Sequence, residues 1–374
     1  MSGARPPGAL HGSIRSGSAV PRRPGAVRRG PAVAIVAAIG AVAMAARAQL
    51  VDPLDAPAER SARAALVLLN GVAAAGTRIV AVGQRGHVLT SDDGGRSWAQ
   101  AAVPVSVDLT AVQFPTRERG WAVGHGGVVL ATRDGGRSWV KQLDGRDVAR
   151  LLDRWYGAPG RAPSPAVRRQ LEMLTTSAAD ASFLDVWFDD ERTGFAVGAF
   201  NLILRTGDGG ESWEPWLHRA DNPDGLHLYA IRRVGAGLYA AGERGLILKL
   251  DAAGGRLGAL AVPYRGTFFG VTGDRHAVVA FGLRGHALRS VDGGASWEPV
   301  RTGVEVGITA GAAMPDGRLL LVTLGGHLLV SADGGRSFRG TPRERPLPIS
   351  SVVAAGPDAV VLAGVDGARR EAVR

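Results

Sequence analysis

The octet SDDGGRSW, residues 91–98, combines two carboxylates and two hydroxyl groups with a pair of glycines. A loop of this composition could bind a calcium ion, a phosphate or a sugar. A calcium loop, however, requires several oxygen ligands at alternating positions and usually a bidentate glutamate. Three of the four related octets in the chain contain a single carboxylate. We therefore expect a structural turn, in which the glycines adopt positive φ and the Asp93 carboxylate accepts backbone N–H groups.

The octet recurs with a regular spacing. The first two copies and the last two are each 41 residues apart, and a degraded copy, LDAAGGRL, fills the longer gap before the fourth. In each copy the aromatic residue is expected to begin a strand and pack against neighbouring elements. The structural residues predicted from these turns are Asp93, Trp98, Asp134, Trp139, Asp208, Trp213, Asp292, Trp297, Asp333 and Phe338.

A second motif, upstream of each octet, reads as a tight β-hairpin and occurs seven times, beginning with AVGQRGHVL and AVGHGGVVL. Short strands repeated about every 41 residues are typical of β-propeller blades. The length of residues 49–374, less one insertion, predicts an all-β, seven-bladed propeller with strands A to D in each blade and the octets between strands C and D. The last unit, residues 349–374, lacks room for strand D. We expect the apolar segment Ala62–Leu69 to supply it as an N-terminal strand that closes the ring.

The B–C turns of the hairpins hold a second set of candidate residues. Arg85, Arg244 and Arg284 occupy one repeat position, and His125 and Glu243 lie one place earlier. In one interpretation these are solvated turn residues. In the other they bind a protein partner, and the arginines receive an acidic or C-terminal segment through bidentate bonds to carboxylates. Spacings that indicate a metal site are absent, so no metal or other cofactor is expected.

An insertion after blade 2, at about residues 144–180, has the pattern of two helices. DVARLLDRWYG places Val148, Leu151, Leu152 and Trp155 on one face, and SPAVRRQLEMLTT begins with a serine N-cap and a proline at the first helical position. The pair either packs on the propeller or presents an apolar and basic surface to a membrane protein.

The formal net charge of +10 is concentrated at the N-terminus, where residues 1–48 contain seven arginines and no acidic residue. A basic region, the apolar run PAVAIVAAIGAVAMAA and the small residues of ARAQ form the pattern of a signal peptide over residues 1–48. The alternative is an uncleaved anchor. The remaining residues are close to balanced in charge, which argues against nucleic-acid binding. The sequence thus predicts a periplasmic or secreted protein that is soluble after cleavage and, without cysteine, has no disulfides.

The octets match the Asp-box, and the pattern AVGxxGxxLxTxDGGxSW together with TRERGWAVG resembles the photosystem II stability and assembly factor family. This resemblance implies a single lumenal or periplasmic propeller that acts as an assembly factor and not as an enzyme. It also implies an arginine patch on the B–C turn face. We expect a monomer that binds a membrane or periplasmic protein client, with an envelope transporter as one candidate, and no small-molecule substrate. The alternative is an Asp-box glycoside hydrolase of the sialidase type or a carbohydrate-binding propeller.

Overall fold

The computed structural model describes residues 51–175, 181–341 and 347–373. The predicted signal peptide, residues 1–48, lies outside them. Seven antiparallel sheets follow one another along the chain, and each of the first six has four strands in sequential order. The predicted seven-bladed propeller is confirmed.

The blades are built from short strands, labelled A to D outwards from the central channel. In blades 1 to 4 these are β1 Leu69–Ala75, β2 Arg78–Gly83, β3 Val88–Ser91, β4 Ala99–Gln100; β5 Leu109–Gln113, β6 Gly120–Gly124, β7 Val129–Thr132, β8 Val140–Leu143; β9 Phe183–Phe188, β10 Gly194–Gly198, β11 Ile203–Thr206, β12 Glu214–Pro215; and β13 Leu228–Val234, β14 Gly237–Gly242, β15 Ile247–Leu250, β16 Leu257–Ala259. In blades 5 to 7 they are β17 Phe268–Gly273, β18 Val278–Gly282, β19 Ala287–Ser290, β20 Glu298–Pro299; β21 Ile308–Ala313, β22 Leu319–Thr323, β23 Leu328–Ser331, β24 Arg339–Thr341; and β25 Ile349–Ala354, β26 Ala359–Gly364, β27 Gly367–Ala372.

The core lies between blades. Val80 and Val82 of blade 1, for example, pack with Leu109, Leu130 and Trp139 of blade 2. Strand B is buried along nearly its whole length in every blade because it has a neighbouring blade on each side. Its apolar runs AVG, FAVG and LLLVT are therefore continuous and not alternating.

Ring closure differs from the sequence prediction. Blade 7 has only the three strands β25, β26 and β27, and Ala64–Leu66 forms a short 3-10 turn instead of a strand. The expectation of a closing strand at Ala62–Leu69 was therefore wrong. A Cβ at Gly367 would lie 1.8 Å from the Ala65 carbonyl oxygen, and the equivalent Gly86 has the same close approach to the connection that follows its own blade. The alanine-rich segment, a poor strand former, packs against blade 7 in the place that a D–A connection has in the other blades.

The predicted helical insertion is confirmed. Helix α1 spans Gly145–Tyr156 and helix α2 spans Pro165–Thr175. Val148 and Leu152 of α1 and Val167 and Leu174 of α2 are buried against blades 2 and 3. Within the described residues, no helix is both long enough and apolar enough to cross a membrane.

Candidate functional site: the face of the B–C turns

One hydrogen bond recurs in all seven B–C turns. The first residue of each turn donates its backbone N–H to the carbonyl of the residue just before strand A of the same blade. The donors are Gln84, His125, Ala199, Glu243, Leu283, Leu324 and Val365, at distances of 2.9 to 3.3 Å. The bond ties each B–C turn to the D–A connection that enters its blade. Both therefore lie on the same face of the ring, and we call this face the tip face.

The three predicted arginines lie on the tip face with their side chains in solvent. Arg85, Arg244 and Arg284 have φ values of 52°, 52° and 56°. In blade 2 the same place is taken by Gly126, with φ 65°. A left-handed conformation costs a residue with a Cβ about 1 kcal/mol relative to glycine. Three blades therefore carry an arginine at a position where the backbone favours glycine.

The other two predicted residues contact residues of the D–A connections. A Glu243 carboxylate oxygen accepts the His227 backbone N–H at 2.8 Å, and His125 Nδ1 lies 3.3 Å from Ser182 Oγ. Asp108, which sequence reasoning missed, accepts the Arg85 backbone N–H at 2.8 Å. Glu243 therefore has a structural contact to the residue just before strand A of its own blade, in addition to any contact with a partner.

The candidates do not form one cluster. Arg244 and Arg284 lie on the neighbouring blades 4 and 5, whereas Arg85 lies on blade 1, three blades away from either in the ring. A single carboxylate cannot reach all three. The arginine triad of a sialidase needs three side chains on one group, and the tip arginines do not supply this geometry.

The central channel opens at the middle of the tip face. Strand A of every blade has a β-bulge at its second residue, which turns that side chain towards the channel. The bulge residues, which we call the mouth residues, are Asn70, Thr110, Leu184, Tyr229, Phe269, Thr309 and Ser350. They line a cavity of about 340 Å³. Polar and small side chains form most of the ring, and Leu184, Tyr229 and Phe269 give blades 3 to 5 an apolar sector.

A buried ion pair lies deeper in the channel wall, between blades 3 and 4. Asp185 accepts hydrogen bonds from the Arg232 guanidinium and, at 2.8 Å, from the Ile231 backbone N–H. Burial raises the pKa of Asp185 even though Arg232 opposes the shift. The pair joins two blades, and the Arg232 side chain also lies 5.9 Å from the Trp187 ring.

The chain covers part of its own tip face. Leu54 in the segment before blade 1 is buried in the core between blades 1 and 2, and the insertion helices pack over blades 2 and 3. A salt-bridge network joins the two, since Asp55 pairs with Lys141 at 3.0 Å and with Arg146 at 2.7 Å. Among the described residues, neither Leu54 nor the helices pack on blades 5 to 7, and Ala65 lies against Gly367 in the B–C turn of blade 7.

The opposite face carries the Asp-box turns, and their acidic groups are already engaged. The Asp93 carboxylate accepts the Ser91 and Ser97 hydroxyls at 2.8 and 2.6 Å and the Arg96 and Ser97 backbone N–H groups at 2.9 Å. The hydrogen bond from the Ser97 hydroxyl contributes most to holding the pKa of Asp93 well below its usual range. The contacts to the following serine recur at Asp134, Asp208, Asp292 and Asp333. Among the described residues no group of three or more His, Asp or Glu side chains could hold a metal ion.

Comparison with known proteins finds a family model that matches part of the sequence. A family model described as "Photosynthesis system II assembly factor YCF48" matches residues 76–147 and 165–265. The unmatched stretch between them contains most of α1. None of the curated proteins matches the chain.

Solved structures share the fold at low sequence identity. A structure titled "YCF48 bound to D1 peptide" is 16% identical with a TM-score of 0.61, over 85% of this chain and 99% of that chain. YCF48 from Cyanidioschyzon merolae is 18% identical with a TM-score of 0.58, over 82% and 95%. The WD40 β-propeller domain of Doa1 is 11% identical with a TM-score of 0.59, over 85% and 95%. These likenesses show the propeller fold.

Proposed function

Because this chain belongs to the photosystem II stability and assembly factor-like family of propellers, we propose that it is an exported, non-enzymatic recognition scaffold. Its tip face binds an acidic or C-terminal segment of a membrane or periplasmic protein client. A solved relative is titled as bound to a peptide. We extend peptide binding to this chain, but not the identity of the peptide.

The observation that carries the proposal is the set of arginines at left-handed positions of the B–C turns. Each is exposed, and each occupies a place where glycine would be less strained. Strained positions that persist in a fold are a reason to look for function. An exposed guanidinium recognises a carboxylate through two parallel hydrogen bonds, and a protein segment can supply that carboxylate from an acidic side chain or from its C-terminus.

The test is affinity capture from solubilised membranes with the triple variant Arg85→Glu, Arg244→Glu, Arg284→Glu. We expect the variant to lose the proteins that the wild type captures, because the charge reversals repel carboxylates. A matched control is Arg96→Glu, Arg137→Glu, Arg336→Glu, which makes the same change in net charge on exposed residues of the Asp-box turns. Equal capture by both folded variants and the wild type would sink the proposal. Recovery of the protein from the cytoplasm with residues 1–48 still attached would contradict its exported part.

A further inference from the structure

The first positions of the B–C turns divide the tip face into two halves. Blades 1 to 4 carry Gln84, His125, Ala199 and Glu243, whereas blades 5 to 7 carry Leu283, Leu324 and Val365. Those three apolar side chains are 40%, 52% and 44% exposed. Val306 and Leu347 in the adjoining D–A connections are also large, apolar and exposed. Single exposed apolar residues are ordinary on a protein surface, but a run over three consecutive blades on one face indicates an interaction surface.

This surface is continuous with the apolar sector of the channel mouth. A Cβ at Gly307 would lie 3.4 Å from Leu324 Cδ1 and 3.6 Å from Phe269 Cε2, so Gly307 leaves a gap between these two side chains. The Phe269 ring packs edge-on against Tyr229 at a centroid distance of 5.4 Å. Phe269 and Leu324 therefore flank a gap at the Gly307 backbone, and Tyr229 extends the apolar wall on the Phe269 side. We call this the mouth cleft.

Positive charge lies on the tip face of blades 4 and 5, the blades that carry Tyr229 and Phe269. Arg244 and Arg284 stand on the turns of blades 4 and 5, and Arg265 lies in the connection between them. The acidic residues of the same loops are Glu243 and Glu305, and Glu243 already accepts the His227 N–H. Arg244 is 3.8 Å from Asp224, with both side chains about 70% exposed, which makes this pair weak and easily exchanged.

We propose that the mouth cleft binds a client segment with a large apolar side chain close to a carboxylate. The apolar side chain enters between Phe269 and Leu324, and the carboxylate pairs with Arg284 or Arg244. This inference rests on the proposed function and narrows it, because it leaves Arg85 outside the site. A membrane surface is the competing occupant. The exposed apolar side chains spread over blades 5 to 7 would suit a membrane, but the gap at Gly307 suits a single side chain.

The test measures binding of fluorescent nine-residue peptides with one Leu or Phe among glycines and serines and a free carboxyl terminus. Two companion sets replace the apolar residue with Ser or amidate the terminus. We expect binding only when both features are present. Phe269→Ser and Leu324→Ser should each weaken binding by about tenfold, and Arg284→Glu by about tenfold or more. Arg96→Glu in the Asp-box turn of blade 1, on the opposite face, and Leu66→Ser, the most exposed apolar residue of the tip face, are the matched controls and should change little.

The outcomes separate the two proposals. Loss of peptide binding with Arg85→Glu as large as with Arg284→Glu overturns the mouth cleft but leaves a tip-face scaffold in place. Unchanged binding in Phe269→Ser and Leu324→Ser also overturns it. The protein could instead bind vesicles rich in anionic lipid and no peptide. If Leu324→Ser abolishes that vesicle binding, the surface is assigned to a membrane. Client capture that survives the triple arginine variant contradicts the proposed function itself. Circular dichroism and thermal unfolding establish that each variant is folded.

Discussion

At the scale of single residues, the aspartates of the Asp-box turns are structural groups. Each accepts hydrogen bonds from the preceding hydroxyl and from the serine that follows the glycine pair, and the aromatic residue packs between blades. These contacts lie within five residues of sequence, which is why the octet alone was enough to predict the turn. Both oxygens of the carboxylate accept hydrogen bonds from within the turn.

Replacement of Asp134 by alanine removes an acceptor that the turn uses four times, from the Thr132 and Ser138 hydroxyls and two backbone N–H groups. We expect a loss of about 2–3 kcal/mol in the free energy of unfolding. Asp251→Ala in the degraded copy is the matched control, since its carboxylate accepts the Gly255 N–H from an exposed position, and it should cost less than about 1 kcal/mol. Urea unfolding measures both. A rise in Tm on adding calcium would contradict the structural assignment.

Residues on the tip face were predictable only in part. Their alignment at one repeat position was visible in the sequence, and so were the arginines. The same alignment contained Leu283, Leu324 and Val365, but apolar residues in a turn are uninformative until their exposure is known. That Glu243 binds a backbone N–H of its own blade depends on the approach of the D–A connection to the turn, which spacing does not reveal.

At the scale of elements, the insertion begins with a strongly specified helix start. Asp144 caps α1 by accepting the Arg146 backbone N–H, and Asp147 reaches back to the Asp144 backbone in a capping box. Asp144 is also buried beside Lys141 and Arg146. Burial by itself raises the pKa of Asp144, but the hydrogen bonds from Arg146 and Lys141 outweigh it and lower the pKa to about 2 from 3.8.

This shift gives a pH dependence with a definite sign. A carboxyl whose pKa is lower in the folded state stabilises the fold above its unfolded pKa, and the stabilisation is lost as the pH falls through the folded value. Asp144→Asn retains a capping acceptor but not the charge. We expect it to lower the free energy of unfolding by about 1–2 kcal/mol at pH 7, after allowance for solvent screening, and to match the wild type only once the pH is below the folded pKa of about 2. Asp147→Asn, more exposed at the same helix start, is the control and should cost a few tenths of a kcal/mol. Urea unfolding at a series of pH values measures the free energy of unfolding of both proteins. A difference between Asp144→Asn and the wild type that stays the same at every pH would refute the role of the charge.

At the scale of the whole molecule, stability depends on closing the ring. The apolar clusters lie between successive blades, and blades 1 and 7 complete the series, since Leu69, Ile79 and Leu89 pack with Val361 and Ala363. The Val72 backbone N–H also donates to Ser351 Oγ at 3.3 Å across this junction. The segment before blade 1 therefore contacts three blades. Its Ala65 packs against Gly367 of blade 7, and its Leu54 is buried between blades 1 and 2.

Removal of residues 51–60 tests this. Compared with a chain that begins at Val51, one that begins at Ser61 loses the buried Leu54 and the Asp55 pairs with Lys141 and Arg146. We expect unfolding to be easier by roughly 2–5 kcal/mol, the range for deleting a large buried side chain. Val51→Ala, at an exposed position, should have no measurable effect. Coincident urea unfolding curves for the two chains would show that the segment does not support the ring.

The sequence by itself determined the repeat, and with it the blade number, the strand order and the face on which the Asp-box turns lie. It could do so because hydrogen bonds within a turn and pairing between adjacent strands are local and are repeated along the chain. Tertiary structure decided what the repeat does not encode. The closing segment takes the place of a D–A connection and is not a strand. The arginines of blades 4 and 5 stand apart from that of blade 1, and Phe269 and Leu324 flank a gap at Gly307. Each of these depends on distances between residues of different blades, which become defined only when the ring is closed.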